Sequence, residues 1–327
     1  HVGRELVDQY VVPGYCEPLT SMYADQKWLD VIPQGLVDGA SYNGDQYSIP
    51  VGVHRGNDIF YNQKLMADAG VELSENMSVD DFFKAADALK AKNIPALAMG
   101  TKDAFVAAQT FENTLLGVVG PDSYAKLFKG EMNWDDDSVK EAMQTFAKMI
   151  GYANSDRDAL TWDDATHMVI EGKAGMNVMG DWAYGEVVAL KAQDNIGWSN
   201  HPGTGGSFIY VVDSFTLPVG APDHDNAENW LRVIGSKEAQ EKFNPIKGSI
   251  SPRTDIDQAV YDDYHKWSAA SFAKDTLLPS CAHGEASAPA FKQSMYDAAT
   301  NFINDLDVDA FAAALVGAQN AQATAAA

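Results

Sequence analysis

Apolar and polar positions along the chain repeat with two different periods, which predicts alternating strands and helices. Residues 47–53 alternate and then run apolar, and residues 59–62 form a second apolar stretch; both are typical of buried strands. Ser78 begins a capping box, and the residues after it place apolar side chains on one helical face, as residues 137–151 also do. This alternation over residues 53–212 predicts an α/β unit with a mainly parallel sheet.

Three segments are predicted to cross between two domains. They are residues 47–53, the aromatic and β-branched run at 207–219, and the Pro-bounded stretch at 245–253. Three crossings imply discontinuous lobes, an N-terminal lobe of residues 1–50 plus 214–247 and a C-terminal lobe of residues 51–213 plus 248–327. A cleft between two hinged lobes is a usual place for a small polar ligand.

The composition narrows the classes of partner. The chain has 327 residues with 23 Lys and Arg against 46 Asp and Glu, a net charge of −23, which argues against nucleic acid or an anionic membrane. No run of 18 apolar residues is present to span a membrane. The two cysteines, Cys16 and Cys281, are far apart and lack metal-type spacing, so they are either free buried thiols or one long-range disulfide. We expect neither a metal nor a cofactor.

Polar or aromatic residues follow two of the predicted strands. His54 and Arg55 come at the end of the first crossing strand, where the alternatives are a ligand contact and a polar turn. Trp182 follows Asp181, which is predicted to be a helix N-cap, directly after a strand that ends at Gly180. Since open α/β sheets bind ligands at the carboxyl ends of strands, Trp182 is either an aromatic platform or a core residue.

Asp213 is the one charged residue within the strand predicted at 207–219. A carboxylate inside such a run is costly to bury unless it is paired or hydrogen-bonded. It therefore lies either at a bend that faces solvent or in a ligand site. We favour the ligand site, because a carboxylate can accept hydrogen bonds from two neighbouring hydroxyl groups of a ligand.

Several short motifs, spread from about Gly3 to Phe302, resemble a known family. Tyr47-Ser-Ile-Pro, then Phe60-Tyr-Asn and the cap Ser78-Val-Asp-Asp-Phe, resemble the extracellular solute-binding proteins of carbohydrate ABC importers. The combination of His54-Arg55, Gly180-Asp181-Trp182 and Ala282-His283-Gly284 resembles the glucose- and mannose-binding branch. The resemblance implies a two-lobe, type II periplasmic binding protein fold with hinge-connected discontinuous domains.

The resemblance also implies a set of ligand-binding residues. It gives Trp182 the role of a ring that stacks on the apolar face of a sugar, and it gives Lys247 and His283 hydroxyl contacts that their spacing alone does not indicate. Without it, Lys247 is an ordinary solvated lysine and His283 an ordinary loop histidine. The full expected site consists of His1, Arg55, Trp182, Asp213, Lys247 and His283.

Partners and location follow from the same resemblance. We expect a monomer that binds a monosaccharide and meets the membrane permease of an ABC importer, in the periplasm or outside the cell, membrane-associated if lipid-anchored. The first residue is His1, so we expect a processed chain without its signal peptide. Family members carry roughly two βαβ-type units before this point, at ~30 or more residues per unit, and we expect the N-terminal lobe to lack those first strands.

The expected function is binding of glucose or mannose, with another mono- or oligosaccharide as the alternative ligand. A glycoside hydrolase is the competing class, and it requires two carboxylates that face one scissile bond. Asp213 has no obvious second carboxylate, and the sequence lacks a phosphate loop, a nucleophile elbow and metal-ligand spacing. A structural or adhesive protein is a third class, which predicts no saturable sugar binding.

Overall fold

The structure is a computed structural model that describes residues 1–325. Its strands are β1 Cys16–Glu17, β2 Ser41–Tyr42, β3 Asp45–Gln46, β4 Ser48–Arg55, β5 Asp58–Asn62, β6 Leu97–Ala98, β7 Met176–Met179, β8 Ile196–Asn200, β9 Ser207–Pro218 and β10 Thr276–Pro279. Its α-helices are α1 Arg4–Leu6, α2 Thr20–Gln26, α3 Gln34–Gly39, α4 Gln63–Ala69, α5 Val79–Lys90, α6 Phe105–Phe128, α7 Asp137–Ile150, α8 Trp162–Ile170, α9 Trp182–Ala189, α10 His224–Ile234, α11 Lys237–Lys247, α12 Asp263–Lys274, α13 Pro289–Asp305 and α14 Val308–Ala325.

Local sequence signals produce several of these elements. The side chain of Ser78 accepts a hydrogen bond from the Asp81 N–H and the Asp81 carboxylate accepts one from the Ser78 N–H, which confirms the predicted capping box of α5. Helix α7 buries the apolar stripe that its 3.6-residue period predicts. Helix α6 is interrupted at Gly120, whose φ is 76°, just before Pro121, which lacks the N–H that an unbroken helix would use.

Strand β9 is the central strand of the molecule. It pairs antiparallel with β4 from Ser48 opposite Thr216 to Arg55 opposite Tyr210, with an irregularity in β4 between Pro50 and Gly52. It also pairs in parallel with β10 at its start and antiparallel with β1 at its end. The β4–β9 ladder is a two-strand connection between the two halves of the molecule.

The second main sheet has the order β6-β7-β5-β8. Strand β5 is antiparallel to both β7 and β8, and β6 and β7 form its parallel pair. The prediction of a mainly parallel sheet is therefore wrong. The chain alternates strands and helices as a parallel sheet would, but β5 meets partners more than a hundred residues away in the opposite direction.

Two separate hydrophobic cores lie on either side of the β4–β9 ladder. The larger core surrounds β5 to β8 and includes side chains of α5 to α9, α13 and α14. The smaller core combines the first fifty residues with side chains of β9, α10 and residues 250–261. The predicted lobe boundaries stay a prediction; the packing of Ile250, Ile256 and Tyr261 into the smaller core favours an N-terminal lobe that extends beyond residue 247. Both Cys16 and Cys281 are buried free thiols.

Candidate functional site

A pocket of about 140 Å³ lies between the two cores, beside the β4–β9 ladder. It is lined by His1, His54, Phe105, Trp182, Val211, Asp213, Lys247 and His283. Five of the six residues expected in the site therefore lie together, although they come from distant parts of the chain. Arg55 does not line the pocket, whereas its neighbour His54, which the sequence left open as a ligand contact, does. Sequence reasoning missed Phe105 and Val211 as lining residues.

Asp213 lies on β9 and makes ion pairs with two histidines. Its Oδ1 is 3.3 Å from Nε2 of His1, and its Oδ2 is 3.1 Å from Nε2 of His54. Burial by itself would raise the pKa of Asp213, but the hydrogen bonds from His1 and His54 lower it well below its ordinary range. The pocket therefore holds a carboxylate that is ionised at neutral pH.

His54 lies between two carboxylates. Its Nδ1 pairs with Oδ1 of Asp181, while its Nε2 faces Asp213. Carboxylate oxygens only accept hydrogen bonds, so both ring nitrogens of His54 carry protons and the ring is an imidazolium. Burial opposes this charge, but the charge of Asp181 and the hydrogen bonds to both carboxylates raise the pKa of His54 to about 9.

His1 is a second imidazolium on the other side of Asp213. Its Nδ1 donates to the carbonyl of His283 at 2.8 Å, and its Nε2 faces the Asp213 carboxylate, so both nitrogens act as donors. Burial lowers its pKa, but the hydrogen bond with Asp213 and the charges of Glu285 and Asp213 together raise it to about 9. His1 is more exposed than His54, with side-chain exposures of 30% and 2%.

His283 is the neutral histidine of the pocket. Burial lowers its pKa well below the ordinary value, and the charges of His1 and His54 add to this effect. Its Nε2 donates to Oε1 of Gln109 at 3.0 Å. The remaining ring nitrogen, Nδ1, is then unprotonated and can accept a hydrogen bond from a ligand hydroxyl.

Glu112 on α6 holds the loop that carries His283. Its buried carboxylate accepts hydrogen bonds from the hydroxyls of Ser280 at 2.8 Å and Tyr124 at 2.7 Å and from the N–H groups of Cys281 and Ala282. These bonds compensate for the burial that raises the pKa of Glu112. The loop is therefore fixed to the larger core and does not depend on a ligand for its position.

Trp182 packs edge-on against other rings of the pocket. Its ring centroid lies 5.0 Å from that of His283, 5.5 Å from that of His54 and 6.3 Å from that of Phe105. The indole is half-buried, so part of it is accessible to a ligand. Asp181 occupies the predicted N-cap position of α9, but its side chain makes no capping hydrogen bond, because its carboxylate is used on His54.

Lys247 is the last residue of α11, so the segment predicted to cross at 245–253 begins with a helix end. The helix stops at Gly248, whose φ of 93° suits glycine and whose added Cβ would lie 2.2 Å from the carbonyl oxygen of Asp181. This close approach brings the half-buried Lys247 to the pocket. Within residues 1–325, the ammonium group of Lys247 has no hydrogen bond or ion pair and can bind a ligand.

Arg55 is fully buried outside the pocket, which corrects its expected role as a ligand contact. Its Nε lies 3.1 Å from Oδ1 of Asp58, and its Nη2 donates to Asn200 and to the carbonyl of Ser207 at 3.2 Å. The guanidinium lies between the rings of Phe208 and Trp267, 5.0 and 4.4 Å from their centroids. These contacts make Arg55 a structural residue at the end of β4.

The charge network predicts that stability falls with rising pH. His1 and His54 have folded-state pKa values of about 9 against 6.5 for free histidine, so between these pH values the folded chain holds protons that the unfolded chain releases. The lowered pKa of Asp213 stabilises the fold at every pH above its unfolded pKa of about 3.9 and adds no slope in this window.

We therefore expect the free energy of unfolding, measured with urea, to fall between pH 6.5 and pH 9. The variant His54→Gln should show a shallower fall, because one of the groups with a raised pKa is removed. Equal slopes for both proteins would show that His54 is not an imidazolium in the folded chain.

The described residues set two further bounds on the chemistry. Within residues 1–325, no group of three or more His, Cys, Asp or Glu side chains could hold a metal ion. A search of the same part of the chain finds no helix that is both long and apolar enough to cross a membrane.

Comparison with known proteins places the chain in a family. Residues 3–278 match the family model for bacterial extracellular solute-binding protein. An uncharacterized ABC transporter extracellular-binding protein of Pyrococcus horikoshii is 34% identical over 327 residues, which cover 97% of this chain and 72% of the relative. A xylose/arabinose-binding protein of Haloferax volcanii is 30% identical over 302 residues, 88% of this chain and 64% of the relative.

A solved structure is similar throughout. It is a bacterial solute receptor described as having an exclusive substrate preference for β-D-galactopyranose, and it superposes with a TM-score of 0.86 at 20% identity over 96% of this chain and 81% of that chain. The likeness shows the α/β, two-lobe fold of periplasmic binding proteins with hinge-connected discontinuous domains. This fold and the family match over residues 3–278 give one conclusion: the chain belongs to the family of bacterial extracellular solute-binding proteins.

Proposed function

We propose that this protein binds a monosaccharide, glucose or mannose, in the pocket between its lobes and delivers it to the permease of an ABC importer. The observation that carries the proposal is the joining of an ionised carboxylate, an unpaired ammonium and an indole ring in one pocket, from Asp213, Lys247 and Trp182. The protein acts as a monomer in the periplasm or outside the cell, held at the membrane where a lipid anchor is present.

The lining groups match the chemistry of a sugar. Each hydroxyl group both donates and accepts hydrogen bonds, and the pocket offers acceptors on Asp213 and His283 and an unpaired donor on Lys247. The indole of Trp182 supplies a flat face for the C–H side of the ring. A volume of about 140 Å³ is below the ~300–1,000 Å³ usual for drug-sized ligands, which favours a single sugar ring over an oligosaccharide.

Lobe closure gives the mechanism of delivery. The pocket is lined by residues from both sides of the β4–β9 ladder, so only a closed arrangement contacts a ligand from both lobes. A ligand that contacts both lobes stabilises the closed form by its difference in affinity for the two forms. The permease then distinguishes closed, loaded protein from open protein.

The choice of glucose or mannose rests on the resemblance of His54-Arg55, Gly180-Asp181-Trp182 and Ala282-His283-Gly284 to that branch of the family. The named sugars of the Haloferax relative and of the solved receptor, xylose or arabinose and galactopyranose, support the class of ligand. They also make another mono- or oligosaccharide the first alternative.

A glycoside hydrolase is disfavoured by the carboxylates. Among the described residues that line the pocket, Asp213 is the one carboxylate, and both of its oxygens pair with imidazolium rings. Asp181 lies behind His54 and does not line the pocket. Glycoside hydrolysis needs a second carboxyl group on the opposite side of the scissile bond, so we propose a binding protein without enzyme activity.

Isothermal titration calorimetry tests the proposal. The chain is titrated in parallel with D-glucose, D-mannose, D-galactose, D-xylose and maltose. We expect saturable heat with one site per chain and tightest binding for glucose or mannose. If another sugar binds most tightly, that sugar replaces glucose or mannose as the proposed ligand. If none of the five sugars gives saturable heat, the proposed function is contradicted. Release of reducing sugar from maltose would identify an enzyme.

Trp182→Ala tests the aromatic platform. We expect about a tenfold loss of sugar affinity, because aromatic contacts contribute ~0.5–1.5 kcal/mol beyond the area they bury. The ligand-induced change in tryptophan fluorescence should disappear with it. Trp230→Ala is the matched control, since Trp230 is 52% exposed on α10 and does not line the pocket. If Trp182→Ala keeps both the affinity and the fluorescence change, the indole is a core residue.

A further inference from the structure

We propose that Asp181, which does not line the pocket, is a positioning residue for sugar binding: it orients His54, keeps both ring nitrogens of His54 protonated, and through His54 fixes the carboxylate of Asp213. The proposal rests on the proposed function, because it concerns the same pocket. The sequence presents Asp181 as a helix cap, and in the structure it lies behind His54.

Asp181 makes three contacts with the end of β4. Its Oδ1 pairs with Nδ1 of His54, its Oδ2 accepts a hydrogen bond from the N–H of Arg55 at 2.9 Å, and its own N–H donates to the carbonyl of Arg55 at 3.0 Å. The carboxylate is fully buried, so water does not compete for it. Both oxygens are engaged by groups that fix their direction, and the His54 ring can therefore take one orientation.

The effect reaches Asp213 through the opposite side of the imidazole. With Nδ1–H committed to Asp181, the Nε2–H of His54 points to Oδ2 of Asp213 at 3.1 Å. The other oxygen, Oδ1, faces His1 at 3.3 Å, and His1 is much more exposed than His54. Asp213 thus has one oxygen held rigidly by the protein and one that a sugar hydroxyl can reach by displacing His1.

Asp181 also contacts two other parts of the pocket. The next residue is Trp182, and the carbonyl oxygen of Asp181 lies so close to Gly248 that any added Cβ would approach it to 2.2 Å. Asp181 therefore holds β4, the start of α9 and the end of α11 in one arrangement. If Asp181 had only a structural role, it would hold these elements together without changing the protonation of His54. The experiment below separates these two roles.

The charged and titratable groups that face His54 limit the interpretation of any pH effect. Asp181 approaches from the turn before α9 and Asp213 from β9. His1 and His283 act on the site from the chain start and from the loop after β10, and Lys247 from the end of α11. Since His1 and His54 both titrate, the protonation of His54 has to be observed directly.

Asp181→Asn is the test, in the full chain. The asparagine oxygen can still accept from Arg55 N–H, while its NH₂ group donates to Nδ1 of His54, which is then unprotonated. The His54 ring keeps its orientation, but it loses its proton at a lower pH than in the wild type. We expect the NMR titration of the His54 ring, followed without ligand, to move to lower pH than in the wild type.

Sugar affinity is measured by calorimetry at pH 5.5 and pH 8 with the sugar that the wild-type chain binds most tightly. We expect Asp181→Asn to weaken binding at pH 8 about tenfold, within the usual range of roughly 5–150-fold for coupled equilibria. The loss should be smaller at pH 5.5, where His54 is protonated in both proteins. A structural defect would weaken binding equally at both pH values.

Asp58→Asn is the control, because Asp58 is also fully buried beside Arg55 but contacts Tyr264 and not His54. It should leave the His54 titration unchanged. The positioning role is overturned if Asp181→Asn leaves the His54 titration unchanged, or if the titration moves and the affinity at pH 8 does not. A wild-type chain that binds no sugar overturns the proposed function instead, and the NMR titration still decides whether Asp181 sets the protonation of His54.

Discussion

Replacing Asp213 by alanine is expected to weaken sugar binding strongly while the chain stays folded. Hydrogen bonds to a charged group contribute ~1.5–3 kcal/mol each, so the loss of one such bond to a sugar hydroxyl lowers affinity roughly 10- to 150-fold. The carboxylate is 29% exposed and lies at the pocket wall, so its removal opens no large cavity in either core.

A second effect of the substitution is electrostatic. Asp213 neutralises two imidazolium rings, His1 and His54, which lie within 3.3 and 3.1 Å of its oxygens. Without it, these cations and the ammonium of Lys247 line one small pocket with no facing anion. The pKa of His1 should then fall, because the hydrogen bond and charge of Asp213 are among the causes that raise it. Binding should therefore suffer at every pH.

Calorimetry with the preferred sugar measures the loss, and circular dichroism confirms that the variant is folded. Asp194→Ala is the control, since Asp194 is an exposed aspartate in the short 3₁₀ turn Gln193–Asn195. It should bind as the wild type does. Equal affinity for Asp213→Ala and the wild type would remove Asp213 from the ligand site and leave its two ion pairs as structural contacts.

The sequence was informative where the cause of an element is local. The Ser78 cap and the apolar stripe of α7 both depend on residues within a few positions of each other, and the structure has both. The direction of strand pairing is not local. Strand β5 pairs with β7 and β8, which follow more than a hundred residues later, so the predicted parallel sheet had no local signal to correct it.

The site shows the same division. Asp213 was identifiable because a lone charge in an apolar strand has few explanations. The sequence did not identify which of His54 and Arg55 meets the ligand. Adjacent residues of a strand point to opposite faces, so a shift of the strand by one residue exchanges the two side chains. The roles of Asp181 and Glu112 depend on contacts across the fold, and nothing in their neighbouring residues indicates these contacts.

Arg55→Met is expected to cost stability rather than affinity. Removing one partner of a buried ion pair costs ~3–5 kcal/mol, because the other charge is left uncompensated. Here the partner is Asp58, which is also fully buried and whose Oδ2 accepts a hydrogen bond from Tyr264 at 2.6 Å. Burial raises the pKa of Asp58 to about 8, so this full cost applies above that pH, where the carboxyl is ionised. Methionine can fill the space between Phe208 and Trp267, which limits the loss of packing.

The pH dependence separates the lost charge from lost packing. Burial raises the pKa of Asp58 while the charge of Arg55 acts against this rise, so without Arg55 the carboxyl takes up a proton still more readily in the folded state. A raised folded-state pKa of an acid stabilises the fold less as pH increases. Urea unfolding should therefore show a larger loss for Arg55→Met at pH 8 than at pH 5.5.

Arg4→Met is the control, because Arg4 is half exposed and its ion pair with Asp8 spans one turn, so its loss should cost only ~0.3–0.5 kcal/mol. Sugar affinity of folded Arg55→Met should equal that of the wild type, since Arg55 does not line the pocket. A weakened affinity with little loss of stability would instead return Arg55 to the ligand site. The opposite responses of Asp213→Ala and Arg55→Met thus distinguish the residue that meets the sugar from the residue that fixes the end of the strand beside it.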